Sequence, residues 1–518
     1  MKRTTLSLIA AATALAAVTG FAALTAPDGT KTADLSLPLG LPVERTTLLC
    51  PVPSSSEVAE TTYTSYTPPG QGAGSAQGAG GKGDADKPAD KAELLPSTVT
   101  LVDTDPKKAA DAAKKPTPTK PTLSLTKPGT PVTAQVNGPA APALVGTATG
   151  ALAPGWTTQL STVVPAGGAR GLLGVTCTPP DTDVWFPAAS TAKERQDYVH
   201  LTNPDDTAAV ADIELYGPGG KLKSVLTDGI SVPARSSVPV LLSTLTAEAP
   251  AADVTVHVTT RTGRVGAVVR VADDKIGSDW LPASADPAAT AVLPGIPADA
   301  TGVRLVAYAP GDDDAELKVK FVGASGTIVP AGGESLTVKS GMTAALDLPN
   351  LTRGEAGALM IVPADPKRPT PVVAALRVVR GKPGKQELGF VQATAPVTVR
   401  GTAADNRAAS STLSLTAPGE TAQVKVTASA GSGGGATVSK TVTVKAGTTT
   451  AFAPPVPSGL KGGYALTVEH VSGGPVHAAR MLALPEDGVP MFTIQAIGDD
   501  RGTVDVPTAR QDLSVLDD

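Results

Sequence analysis

The chain repeats itself with a period near 106 residues, and this restricts the fold more than any other feature. The segments YVHLTNPDDTAAVADIELYGPGG (198–220), VRLVAYAPGDDDAELKVKFVGASG (303–326) and STLSLTAPGETAQVKVTASAGSGGG (411–435) follow one pattern. Pro204, Pro310 and Pro418 mark the same turn, 106 and 108 residues apart. VPARSSVPV (232–240), VKSGMTAAL (338–346) and VKAGTTTAF (444–452) recur at a spacing of 106 both times. Each copy closes on a small-residue strand that ends in Arg270, Arg377 or Arg480. The recurrence of these arginines points to a structural role at the end of each unit.

Inside the copies, apolar and polar residues alternate as they do in half-buried antiparallel strands. Ala315, Leu317, Val319 and Phe321 share one face, and Glu316, Lys318 and Lys320 the other. Val424 and Val426 stand opposite Gln423, Lys425 and Thr427 in the same way. Short strands separated by frequent turn signals predict an all-β chain of tandem immunoglobulin-like β-sandwich units. The alternative is a propeller-like closed all-β ring, although propeller blades repeat about every 40–50 residues. The expected units are 191–296, 297–402 and 403–518, the last including a C-terminal tail.

Residues 40–190 read as a further, interrupted copy. TTLLCPVP (46–53) resembles the opening strand, with Cys50-Pro51 where other units have Asn203-Pro204, Ala309-Pro310 and Ala417-Pro418. GLLGVTCTPP (171–180) resembles the closing strand, and DVWFPAAS (183–190) resembles SDWLPASA (278–285). Residues 68–96 and about 104–142 are rich in Gly, Pro, Ala and Lys, so a flexible low-complexity insert over 68–142 is expected. The short island Ser97–Val102 between them fits a strand.

Met1-Lys2-Arg3 precedes an uncharged, largely apolar stretch from Thr4 to Ala26. A basic start before such a stretch reads as an export signal over residues 1–27, either cleaved or kept as a single N-terminal membrane helix. The lone cysteine pair, Cys50 and Cys177, fits an oxidising compartment. On the interrupted-copy mapping the two lie on the first and last strands of one unit, which favours a disulfide over two free thiols. Bridging the ends of a loop on the order of 100 residues stabilises by roughly 4–5 kcal/mol.

Several function classes drop out. The net charge of −5 comes with no basic stripe, which argues against nucleic-acid binding. GAGSAQGAGGKG (72–83) lacks phosphate-loop spacing, and no nucleophile elbow occurs. His200, His257, His470 and His477 fall within strand patterns; His200 and His257 alternate with apolar neighbours, so solvent-facing positions are expected. The runs Asp205-Asp206, Asp273-Asp274, Asp312–Asp314 and Asp499-Asp500 lack EF-hand spacing and suit turn formation. No catalytic residue, metal site or cofactor is therefore expected. Aromatics make up only 3%, leaving few platforms for stacking sugars. Trp185, Phe186 and Trp280 are the candidates for an interaction surface or for packing at a junction, the two tryptophans in segments taken as equivalent.

The N-terminal apolar segment, the Cys50-Pro51 pair, the run from Cys177 to Trp185 and Phe186, and the Asn203-Pro204 to Gly220 strand pair together resemble the DUF5719 family. That resemblance implies an exported actinobacterial envelope protein and supplies no activity. The expectation is a non-catalytic structural or interaction protein of the cell envelope, secreted or held at the membrane through residues 4–26. The alternative is a binding module for cell-wall glycan or for an envelope partner protein.

Overall fold

The computed structural model describes residues 39–70, 90–100, 120–226 and 228–506; the apolar N-terminal segment lies outside them. Leu39–Pro42 and Thr503–Val506 pair in a two-stranded ribbon. The rest of the described chain forms one body built from pairs of β-sheets.

Alternation decides which face each strand buries. Ala315, Leu317, Val319 and Phe321 are buried while Glu316 and Lys318 are exposed, and Val424 and Val426 are buried while Gln423 and Lys425 are exposed. Burying each Val or Leu side chain contributes ~1.5–3 kcal/mol. The buried faces of two sheets meet and enclose a core of Val, Leu, Ile and Ala, giving the expected sandwiches.

The sandwich at 183–281 shows the scheme. One sheet runs Asp183–Ala189, Val254–Thr262, Ala209–Gly217, with Gly220–Lys221 and Ile230–Val232 at its far edge. The other runs Ser236–Leu241, Arg195–Thr202, Gly266–Asp273, Gly277–Leu281. The same order appears in 45–176, 291–392 and 400–497. In immunoglobulin order the first strand pairs with the second. Here Asp183–Ala189 pairs with Val254–Thr262, and Arg195–Thr202 with Gly266–Asp273, so the terminal strands have exchanged sheets.

This pairing moves several expected positions. Asp183–Ala189 and Ala291–Ile296 lie before the boundaries expected at 191 and 297 but belong to the sandwiches that follow, and Arg400–Asn406 straddles the one expected at 403. These first strands precede the recurring Pro turn, which follows the second strand. For the same reason Arg45–Cys50 is a first strand and does not correspond to the strand ending in Asn203. The counterpart of Asn203-Pro204 is Thr67-Pro68, after Glu60–Tyr66. With the short edge pieces Gly220–Lys221 and Ile230–Val232, and Thr327–Ile328 and Ser335–Val338, each pair counted as one fourth strand, Gly171–Thr176 is the eighth strand. The strands carrying Arg270, Arg377 and Arg480 are seventh strands whose counterpart is Thr157–Val164.

Much of the expected insert is sandwich. Lys91–Val99, Leu123–Leu125 and Val132–Asn137 are its third, fourth and fifth strands, with Ala92, Leu94, Leu123 and Leu125 buried. Few apolar residues suffice because each strand is paired on a ladder. Residues 71–89 and 101–119 lie outside the described chain.

The four sandwiches close into a ring. Equivalent residues of the fifth strands meet the preceding sandwich at three junctions. Ser237 pairs in parallel with Val99, Thr343 Oγ1 donates to Tyr216 O (2.6 Å), and Thr449 N donates to Gly323 O (2.9 Å). The fourth junction joins the ends of the chain: Tyr66 Oη lies 3.1 Å from both Ser429 Oγ and Thr467 Oγ1. Three of the four cores are also completed by the next sandwich: Val268 and Trp280 join the first core, Leu388 and Phe390 the second, Phe492 and Ile494 the third. The ring of the alternative reading is thus present, with two-sheet sandwiches as its members. Cys50, ending the first strand, and Cys177, just past the eighth, form a disulfide with Cα atoms 4.6 Å apart.

Candidate functional site

Four eighth strands meet at the ring axis: Gly171–Thr176, Gly277–Leu281, Lys385–Gln392 and Phe492–Ile497. Each is the edge of its own sheet, and each is buried on both faces. Glycine makes this approach possible. A Cβ on Gly174 would sit 2.9 Å from Thr493 Cβ, and one on Gly277, at φ 138°, would sit 2.9 Å from the Glu387 carboxyl carbon.

The polar groups on the axis stitch sandwiches together. Asp279 Oδ1 accepts from Gly174 N (2.9 Å) and from Thr493 Oγ1 (3.1 Å), joining three of the four. Arg170 Nη2 donates to Ile276 O (2.8 Å) and Gln386 O (2.6 Å), again joining three. Burial raises the Asp279 carboxyl well above its usual range, and pushes Glu387 up to about 9 against the opposing charge of Arg170. Glu387 is therefore a neutral acid near pH 7, the cheaper form for a carboxyl removed from water, and burial pushes Asp279 in the same direction. Arg480, fully buried, donates through Nη2 to Gln159 Oε1 (3.0 Å) and to Gln495 Oε1, and Asp405 N donates to the same Gln159 oxygen (3.0 Å). Burial lowers Arg480 to about 10, with the Asp405 charge acting the other way.

At the C-terminal ends of these strands opens a cleft of about 830 Å³. All four sandwiches line it, through residues such as Thr176, Ala283, Gln392 and Ile497 and the segments that follow the axial strands. His477 is buried in its wall beside Thr394 Oγ1 (3.1 Å), and burial lowers it to about 4, so the ring is neutral. Among the described residues no group of three or more His, Cys, Asp or Glu is gathered to hold a metal ion.

The residues singled out in the sequence fall at different places. Cys177, Trp185 and His477 line the cleft. Trp185 and Trp280 belong to one sandwich but to its first and last strands, so their segments are not equivalent. Trp185 stacks on His257 (3.5 Å between centroids) and Tyr308 (5.2 Å), against the third sandwich. Phe186, its neighbour in sequence, points the other way into its own core. Trp280 packs into the first core, edge-on to His200 at 5.1 Å.

His200, expected in solvent, is buried, and burial drives it down to about 3. His257 is covered by Trp185 and pairs with Asp183 at 2.9 Å. Alternation places a side chain on the face away from its own core; here a neighbouring sandwich helps to cover that face, the first beside His200 and the third, through Tyr308, beyond Trp185 and His257. Asp205, Asp273 and Asp499 hold backbone N–H groups or pair with arginine, and of the three only Asp273 does so with close neighbours in the chain. Asp273 accepts from Lys275 N and Ile276 N, Asp205 pairs with Arg264, and Asp499 accepts from Thr398 N, Val399 N and Arg400 N. The axial Asp279 and Glu387 were not singled out. Their signal was present, as carboxyls inside short, otherwise uncharged runs.

No curated protein matches the chain. Residues 132–455, more than half of the chain, match a family described as a family of unknown function, DUF5719, and by that match the chain belongs to DUF5719.

Proposed function

We propose that the protein is a non-catalytic interaction protein of the cell envelope, working outside the cytoplasm as a rigid ring that presents a shaped surface to a partner. The observation that carries this reading is the cleft to which all four sandwiches contribute. A surface held by four packed cores and a disulfide is pre-organised, which lowers the ordering cost of binding. The disulfide also supports an oxidising compartment. Glycan binding draws less support, because Trp280 is buried and Trp185 is flanked by His257 and Tyr308, so neither offers an open ring face.

The test is crosslinking of intact cells with a membrane-impermeant amine reagent, followed by identification of what is captured. Discrete adducts with envelope proteins are expected. A protein that the reagent cannot reach, or that yields only unmodified chain, would sink the reading.

A further inference from the structure

Resting on that interaction reading, we propose that the axial cleft takes a basic, extended peptide segment of a partner protein. Its volume of about 830 Å³ lies within the range of ligand sites, roughly 300–1,000 Å³. Leu48, Val184, Val292 and Ile497 give it apolar wall, suited to the aliphatic stems of Lys and Arg.

Charge selects the ligand's sign. Asp181, Asp183, Asp286, Asp499 and Asp500 line the cleft against one lining arginine, Arg501. Asp499 is occupied by backbone N–H groups and Asp500 by Arg400. Asp183 has only the His257 ring, and Asp181 and Asp286 are exposed with no cation paired to them among the described residues.

The spacing of the carboxylates selects a chain over an ion. Asp181 and Asp183 follow the first axial strand, and Asp286 follows the second. They do not converge as metal ligands do. Cations spaced along an extended peptide would meet them in turn.

The test measures fluorescence anisotropy of a labelled Ala-Lys-Leu-Lys-Leu-Lys peptide, and of its glutamate counterpart, with the full chain. The wild type should bind the lysine peptide, more weakly as salt is raised, and ignore the glutamate one. D181N/D286N should weaken binding about tenfold while melting like the wild type, since both residues are exposed. D312N/D313N, at an exposed turn outside the cleft, should bind like the wild type. Equal binding by wild type and D181N/D286N, equal loss in both variants, or no preference for lysine overturns the proposal. If it fails so while cell-surface crosslinking still captures a partner, the interaction reading stands and the partner docks elsewhere.

Discussion

Glu387 makes the axis answer to pH. Burial holds its proton up to about 9, whereas an unfolded glutamate releases its proton near ~4.3. Between those values the folded state keeps a proton that the unfolded chain has lost. Stability therefore falls as pH rises through this window, by ~1.4 kcal/mol per pH unit for one such group, and levels off above it. Asp279, also raised by burial, acts with the same sign. Glu387→Gln should raise the urea midpoint at pH 8 and leave it nearly unchanged at pH 4. Parallel pH curves for the two proteins would show that the carboxyl is already ionised in the fold. Single residues were legible from sequence where the neighbour is local, as for Asp273, whose carboxylate accepts from Lys275 N and Ile276 N at a turn. They were not where another sandwich supplies the environment. His200 reads as solvent-facing until Leu49 and Val175 of the first sandwich are seen lining the same small cavity beside it.

At the level of elements, strands with strict alternation could be read directly, Ala315–Val322 and Ala422–Ala430 among them. Strands such as Gly277–Leu281 could not, because both faces are buried and no period of two survives. Lys91–Val99 was half hidden by low-complexity flanks, although its partners hold it on a ladder. The axial strands tolerate little added volume. Gly174→Val should destabilise by about 1–3 kcal/mol through overpacking against Thr493, read as a lower midpoint in urea. A midpoint equal to wild type would mean that the strands can move apart, and that the axis is looser than its hydrogen bonds require.

For the whole molecule, the repeat predicted sandwiches and raised a closed ring only as the alternative to them; it did not predict that the sandwiches themselves close into the ring. Period reports what each unit is; closure depends on contacts between residues hundreds of positions apart, such as Tyr66 with Thr467. The disulfide acts within the first sandwich, across 127 residues of chain. Cys50→Ser/Cys177→Ser should cost about 4–5 kcal/mol on a chain-entropy estimate, seen as a lower melting temperature under non-reducing conditions. A wild type whose melting is unmoved by reductant would contradict this. Ring closure also has a consequence for how the chain reaches its fold. Asp279, in the second sandwich, waits for Thr493, and Gln159, in the first, waits for Arg480, so neither satisfies these axial groups until the fourth sandwich has been made. A nascent chain stopped before Phe492 carries three axial edges facing an empty place, open to pairing with other chains. Synthesis and folding are thereby tied together at Phe492–Ile497, and a product that lacks this strand is prone to aggregate.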